Sequence, residues 1–193
     1  MLLCCRLQYD GALLQRAGAA SLPARREKAE RIRSVRGRAA SLAAGLLLRH
    51  GLFLCGLGED QIRTGPEGKP FLAGNPAFVS LSHSGDYAAC AIAPVPVGVD
   101  IQRIVPVSAR AVRRFCTAGE LAWLERQPDP RRAAIALWTL KESYLKASGE
   151  LTEAVFAAEF QIGTGDGAAG PGGWRFSIDS RIEGYLLALC EKD

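Results

Sequence analysis

The stretch FVSLSHSGDYAACAIAPVPVGVDIQRI, Phe78–Ile104, decides the fold class. Apolar and small polar residues alternate with period two through FVSLSHS, Gly85-Asp86 supplies a tight turn, YAACAIAP forms an apolar run, and VGVDIQRI resumes after Pro94 and Pro96. Three adjacent strands are expected here, with helical patterns on both sides.

Working back, residues 2 to 8 read as a strand, and Ser21 with Pro23 as a helix start. Gly37 is expected to separate that helix from a second, about Arg38 to His50, which Gly51 ends, with His50 as a helix-terminal cap. GPEGKPFLAGNP, 65–76, reads as a surface loop. Working forward, Thr117 caps AGELAWLERQ, with Glu120 completing a capping box. After Pro128-Asp129-Pro130 a longer helix covers about Arg131 to Ala147. AAEFQIG, WRFSI and EGYLLALC read as strands, with a mobile GTGDGAAGPGG hairpin tip. Each half therefore runs strand, helices, strands, and YAACAIAP faintly echoes YLLALCEK. The halves are taken as residues 1–95 and 96–193.

A chain of 193 residues, 48% hydrophobic and 23% charged, without a low-complexity tract, reads as a soluble globular protein with a packed core. The six cysteines, at 4, 5, 55, 90, 116 and 190, include no CxxC pair and mostly lie among apolar neighbours, which points to a reducing compartment. MLLCCRLQYD lacks the basic start of a secretory signal, and AASLAAGLLL is too short to span a bilayer, so a cytoplasmic location is expected. Net charge is +4, but Arg25–Arg38 carries seven basic residues against Glu27 and Glu30. That segment is either a solvated helix laced with ion pairs or a dock for something anionic.

Chemistry centres on WTLKESYLKASGE, Trp138–Glu150. On a helical wheel Leu137, Leu140 and Tyr144 share one face, and Glu142 and Lys146 another beside Trp138 and Leu145. Glu142 four residues before Lys146 is the order of an exposed helix pair worth only about 0.3–0.5 kcal/mol, or else part of an active site. Asp100, at the end of an apolar strand, needs a counter-charge. Arg103 or a turn would satisfy it, as would Mg²⁺ shared with Glu142. His83, between Ser82 and Ser84 beside the turn, suits either a structural role or a phosphate contact. Lys69 lies between Gly68 and Pro70, in a turn that aims one cation. No Walker A loop, GxGxxG fingerprint, GxSxG elbow or zinc-ligand spacing is present.

Taken in order, GKPFL, FVSLSHSGDYAACAI, VGVDIQRI, FCTAGELAWL and WTLKESYLKASG resemble the 4′-phosphopantetheinyl transferases of the Sfp-like, surfactin-synthetase-activating type. The resemblance runs from Pro23 to the closing GYLLALC and is least diagnostic over 150–173. It implies an α+β fold made of two similar subdomains in a pseudo-twofold repeat, with the active site between them, and transfer of the phosphopantetheine arm of coenzyme A to a carrier-protein serine.

The resemblance also implies roles. Asp100 and Glu142 hold Mg²⁺, Glu142, directly or through a bound water, is the base for the serine, and Lys146 stabilises charge on the phosphates or on the departing group. Ser82 and His83 contact the nucleotide, Lys69 lies near the adenine, Arg25 and Lys28 meet the 3′-phosphate, and Ser41 lies close to them. Where many members carry a third acid, this chain has Gln102, which ligates weakly or gives its place to water. An acidic apo carrier protein, acyl, peptidyl or polyketide, is expected beside Phe115, Leu121 and Leu124, met by Arg113 and Arg114. A monomer is expected, with no membrane or nucleic-acid partner. The competing readings are a nucleic-acid module built on the basic helix, which a salt-steep affinity would reveal, and an inactive coenzyme A-binding paralogue, which turnover would separate.

Overall fold

The structure, a computed structural model, describes residues 1–7, 10–21, 23–65, 68–150, 152–163 and 167–193. The chain divides into two units, Met1–Pro94 and Val95–Asp193.

In the first unit, β1 (Leu2–Arg6) is followed by α1 (Gly11–Ala20), α2 (Pro23–Glu30) and the long α3 (Val35–Leu54). A 3₁₀ turn leads to β2 (Ile62–Thr64), β3 (Pro70–Leu72), β4 (Phe78–Ser84) and β5 (Tyr87–Ala93). β5 lies between β1 and β4 in an antiparallel sheet, and β2 pairs with β3. α3 lays Leu48 and Leu52 against Val79, Cys90 and Ile92 of that sheet. Burying each such leucine contributes about 1.5–3 kcal/mol.

Neither glycine expected to punctuate α3 does so. Ser34 is the N-cap, its hydroxyl accepting from the Gly37 amide, so Gly37 lies within the first turn. Gly51 lies inside the helix, where a Cβ would sit 2.7 Å from Ile92 Cδ1, so it permits close approach to β5 rather than a stop. The chain turns away at Gly56, whose φ is +69°. His50 is exposed four residues before the helix end and does not cap it. The helix α1 was not anticipated, because its alanines and glycines give little periodic signal, and the expected loop at 65–76 contains β3.

The second unit begins with β6 (Val97–Arg103), then α4 (Ala109–Phe115), α5 (Ala118–Leu124), α6 (Pro130–Ser148) and α7 (Thr152–Ala157). It closes with β7 (Gln161–Ile162), β8 (Gly167–Ala169), β9 (Trp174–Asp179) and β10 (Tyr185–Lys192). The sheet order is β6-β10-β9-β8-β7, all antiparallel. This corrects the expectation of three adjacent strands: β4 and β5 pair, but β6 pairs with β10, from the far end of the chain. AAEFQIG is not one strand either, since α7 runs to Ala157 and only Gln161–Ile162 are extended. Of the expected mobile tip, Gly167–Ala169 form β8, and residues 164–166 lie outside the described residues.

The capping box is present at Thr117 and Glu120, and Asp129 caps α6, which Gly149 ends in the left-handed conformation at φ +69°. One side of α6 buries Leu137, Leu140 and Tyr144 against β9 and β10. Tyr144 meets Phe160, Trp174 and Phe176 edge-on, with centroids 5.5–6.0 Å away, and Trp138 meets Phe115 at 5.0 Å. Phe115 and Leu124 belong to this core at 3% and 6% exposure, so neither offers the apolar docking surface expected of it, and Leu121 is only partly exposed. Each unit is thus a long helix on an antiparallel sheet, an α+β arrangement. No helix among the described residues is long and apolar enough to cross a membrane.

Candidate functional site

The C-terminal group is built where α6 touches β6. A Cβ on Gly98 would fall 1.8 Å from the Ser143 carbonyl oxygen and 2.7 Å from the Ala147 nitrogen, so strand and helix meet backbone to backbone. Two residues beyond Gly98, on the same strand face, stands Asp100, and beside Ser143 and Ala147 stand Glu142 and Lys146.

Asp100 is 1% exposed. Its Oδ1 accepts from Lys146 Nζ at 2.6 Å, and Lys146 also donates to the Val99 carbonyl at 3.2 Å. Its Oδ2 accepts from the Gln102 amide at 2.9 Å. Lys146 therefore crosses from helix to strand and is more than an exposed helix pair. Burial pushes the half-buried Glu142 carboxyl above its usual range, the nearby Asp100 carboxylate pushes it further, and Lys146 pulls it back. Both like-charge proximity and desolvation favour the protonated form. Two carboxylates and one ammonium thus meet where helix and strand touch. A hard dication suits that donor set of two carboxylates and one amide. No cluster of three or more His, Cys, Asp or Glu fit to hold a metal occurs among the described residues.

A second group forms in the N-terminal unit. Arg25 lies across α3 where a Cβ on Gly45 would sit 2.8 Å from its Cγ. One helical turn before Gly45 is Ser41, 2% exposed, whose hydroxyl has no hydrogen-bond partner among the described residues. Burial lowers the Arg25 pKa, and burial together with Arg25 lowers that of Lys28. Lys28 Nζ donates to the Gly68 carbonyl at 3.3 Å, next to Lys69. Folding thus gathers Arg25, Lys28, Ser41 and the Gly68-Lys69 turn, which are distant in sequence. On β4, which adjoins β3, Ser82 is buried and His83 exposed.

The residue overlooked in the sequence is Lys141, which forms a fully buried ion pair at 3.0 Å with the capping-box residue Glu120. Lys141 stands at i+4 from Leu137 and i−3 from Tyr144, so a cation on the apolar face of the wheel was the available signal.

Residues 96–190 match the 4′-phosphopantetheinyl transferase superfamily (ACPS). They belong to that superfamily. Relatives matching the chain include the 4′-phosphopantetheinyl transferase psf-1 of Bacillus pumilus, 36% identical over 65% of this chain and 57% of that protein. Gsp of Aneurinibacillus migulanus is 35% identical over 57% and 48%, and Sfp of Bacillus subtilis 33% over 49% and 44%. The chain spans about half the length of the curated relatives it matches. Among solved structures, a holo-[acyl-carrier-protein] synthase of Thermotoga maritima matches 51% of this chain and 64% of its own at 21% identity, with a TM-score of 0.43.

Proposed function

We propose that this protein is a Mg²⁺-dependent enzyme that transfers the 4′-phosphopantetheine arm of coenzyme A to a serine of an apo carrier protein, releasing adenosine 3′,5′-bisphosphate. The observation that carries this reading is Asp100, Glu142 and Lys146 held together on β6 and α6, within the segment that belongs to the superfamily.

The reaction is a phosphoryl transfer. The serine oxygen forms a bond to the phosphorus next to the pantetheine, and the bond from that phosphorus to the pyrophosphate bridge oxygen breaks. The departing bisphosphate takes the electron pair. Asp100 and Glu142, with the amide of Gln102, would hold Mg²⁺, which when bound supplies charge neutralisation at the pyrophosphate oxygens. Glu142 accepts the serine proton, a role suited to a carboxyl whose pKa lies above its usual range. Lys146, already directed at this point by Asp100 and Val99, stabilises the charge that builds on the leaving side. Arg25 and Lys28 with the Ser41 hydroxyl take the 3′-phosphate, Lys69 lies near the adenine, and Ser82 and His83 meet the nucleotide.

Carrier proteins are acidic, and the exposed Arg113 and Arg114 suit such a partner. The enzyme acts as a cytoplasmic monomer. The test incubates it with coenzyme A, Mg²⁺ and a panel of apo carriers and weighs the products. A carrier gaining the mass of one phosphopantetheine, with no gain for Glu142→Gln, is expected. Unmodified carriers throughout the panel would sink the reading.

A further inference from the structure

The Glu120–Lys141 pair uses nearly every polar valence it has. Lys141 Nζ donates to the Phe156 carbonyl at 3.1 Å and to the Ala158 carbonyl at 2.7 Å, and forms an ion pair with Glu120 Oε2 at 3.0 Å. Glu120 Oε2 also accepts from the Thr117 amide at 2.8 Å and Oε1 from the Phe160 amide at 2.9 Å. Thr117 Oγ1 reaches Glu159 Oε2 at 2.6 Å. One network thus joins the start of α5, the middle of α6 and the segment from Phe156 to Phe160.

A buried ion pair is a poor device for stability, since an apolar pair of similar volume often serves as well, but a good one for fixing register because its contacts are directional. The apolar face of α6 would tolerate small rotations or slides, as leucine packing does, whereas an ammonium held by two carbonyls and a carboxylate would not. Glu142 is the next residue along, about 100° further round the helix. We propose that Glu120 and Lys141 are positioning residues that lock the rotation and axial placement of α6, so that Glu142 and Lys146 are presented to Asp100 in one geometry. The inference rests on the phosphopantetheinyl transfer proposed above for its activity arm, but its exchange arm stands apart from it.

The test compares the full chain with Glu120→Gln/Lys141→Met, which removes both charges and leaves an acceptor for the Phe160 amide. Lys141→Arg is the conservative variant, and Ile178→Val serves as a core control. Melting is followed by circular dichroism, and turnover is measured where every variant is fully folded. The double variant should melt close to the control, yet lose kcat about ten- to a hundredfold with the carrier KM within about twofold, the cost expected of misplacing a catalytic group by about 1 Å. Lys141→Arg should recover part of the loss. Amide hydrogen exchange over Ser143–Ala147 should quicken about tenfold in the double variant and stay unchanged in the control. Unaltered exchange, or quickened exchange with full kcat, overturns the proposal. If the double variant fails to fold, Lys141→Arg and Glu120→Gln decide by the same two readouts. A wild-type protein inactive on every carrier refutes the proposed function, and exchange then judges the positioning alone.

Discussion

Gly98→Ala tests the geometry of the site most directly. The added methyl would begin 1.8 Å from the Ser143 carbonyl oxygen and 2.7 Å from the Ala147 nitrogen, both backbone atoms of α6 that no rotamer change can move aside. Real Cβ contacts begin at 3.0 Å, so strand and helix must part by about 1.2 Å. Overpacking of this kind costs about 1–3 kcal/mol, occasionally more, and the backbone contact places Gly98→Ala near the top of that range. For a unit of about a hundred residues this lowers Tm by roughly 10–20 °C. The same opening would stretch the 2.6 Å contact between Lys146 and Asp100 to nearly 4 Å if transmitted in full, beyond hydrogen-bonding reach. Turnover should then fall about a hundredfold even where the variant remains folded. Thermal unfolding by circular dichroism and carrier mass gain at low temperature measure the two effects. A variant melting within about 3 °C of wild type with turnover within about threefold would refute the argument that contact between β6 and α6 creates the site.

Three further predictions concern individual side chains. Because folding raises the Glu142 pKa, the folded state holds that proton more tightly than the unfolded one, and stability falls as pH rises from the ordinary carboxyl range through the raised value. Glu142→Gln should remove this loss, melting at or above wild type at neutral pH and converging with it in acid, while turnover disappears. Gln102→Glu should bind Mg²⁺ more tightly by calorimetry and need less of it for activity, whereas an unchanged Mg²⁺ requirement removes Gln102 from the metal's ligands. Arg25→Ala and Lys28→Ala should each weaken coenzyme A about tenfold or more but leave dephospho-coenzyme A, which lacks the 3′-phosphate, almost unaffected. Equal losses on both ligands would remove the two side chains from that phosphate.

What the sequence made legible was local. The hydroxyl of Thr117 and the carboxylate of Glu120 three residues on predict a capping box by spacing alone, and the structure forms it. Period-two alternation with a Gly85-Asp86 turn marks β4 and β5 for the same reason, since pairing of neighbours needs only a short connection. The sheet to which β6 belongs was not legible, because its partner β10 begins more than eighty residues later and the apolar run of VGVDI suits either sheet. Gly37 and Gly51 misled because glycine serves both helix termination and close packing, and only the neighbours of the missing Cβ distinguish them. At the site, Asp100, Glu142 and Lys146 stood out as charges within apolar patterns, and folding brings all three together. Lys141 breaks the apolar face of the same helix, but its partner Glu120 lies twenty-one residues earlier on α5, and only folding brings the pair together.

The three tryptophans, Trp123, Trp138 and Trp174, all lie in Val95–Asp193. Intrinsic emission excited at the red edge therefore follows only that half of the molecule, and the other half melts without a glow. Because circular dichroism sees the helices of both, heating one sample under the two probes asks whether the halves come apart together or in succession. A cooperative protein traces a single curve, and any gap between the traces measures how far the N-terminal unit unfolds on its own account.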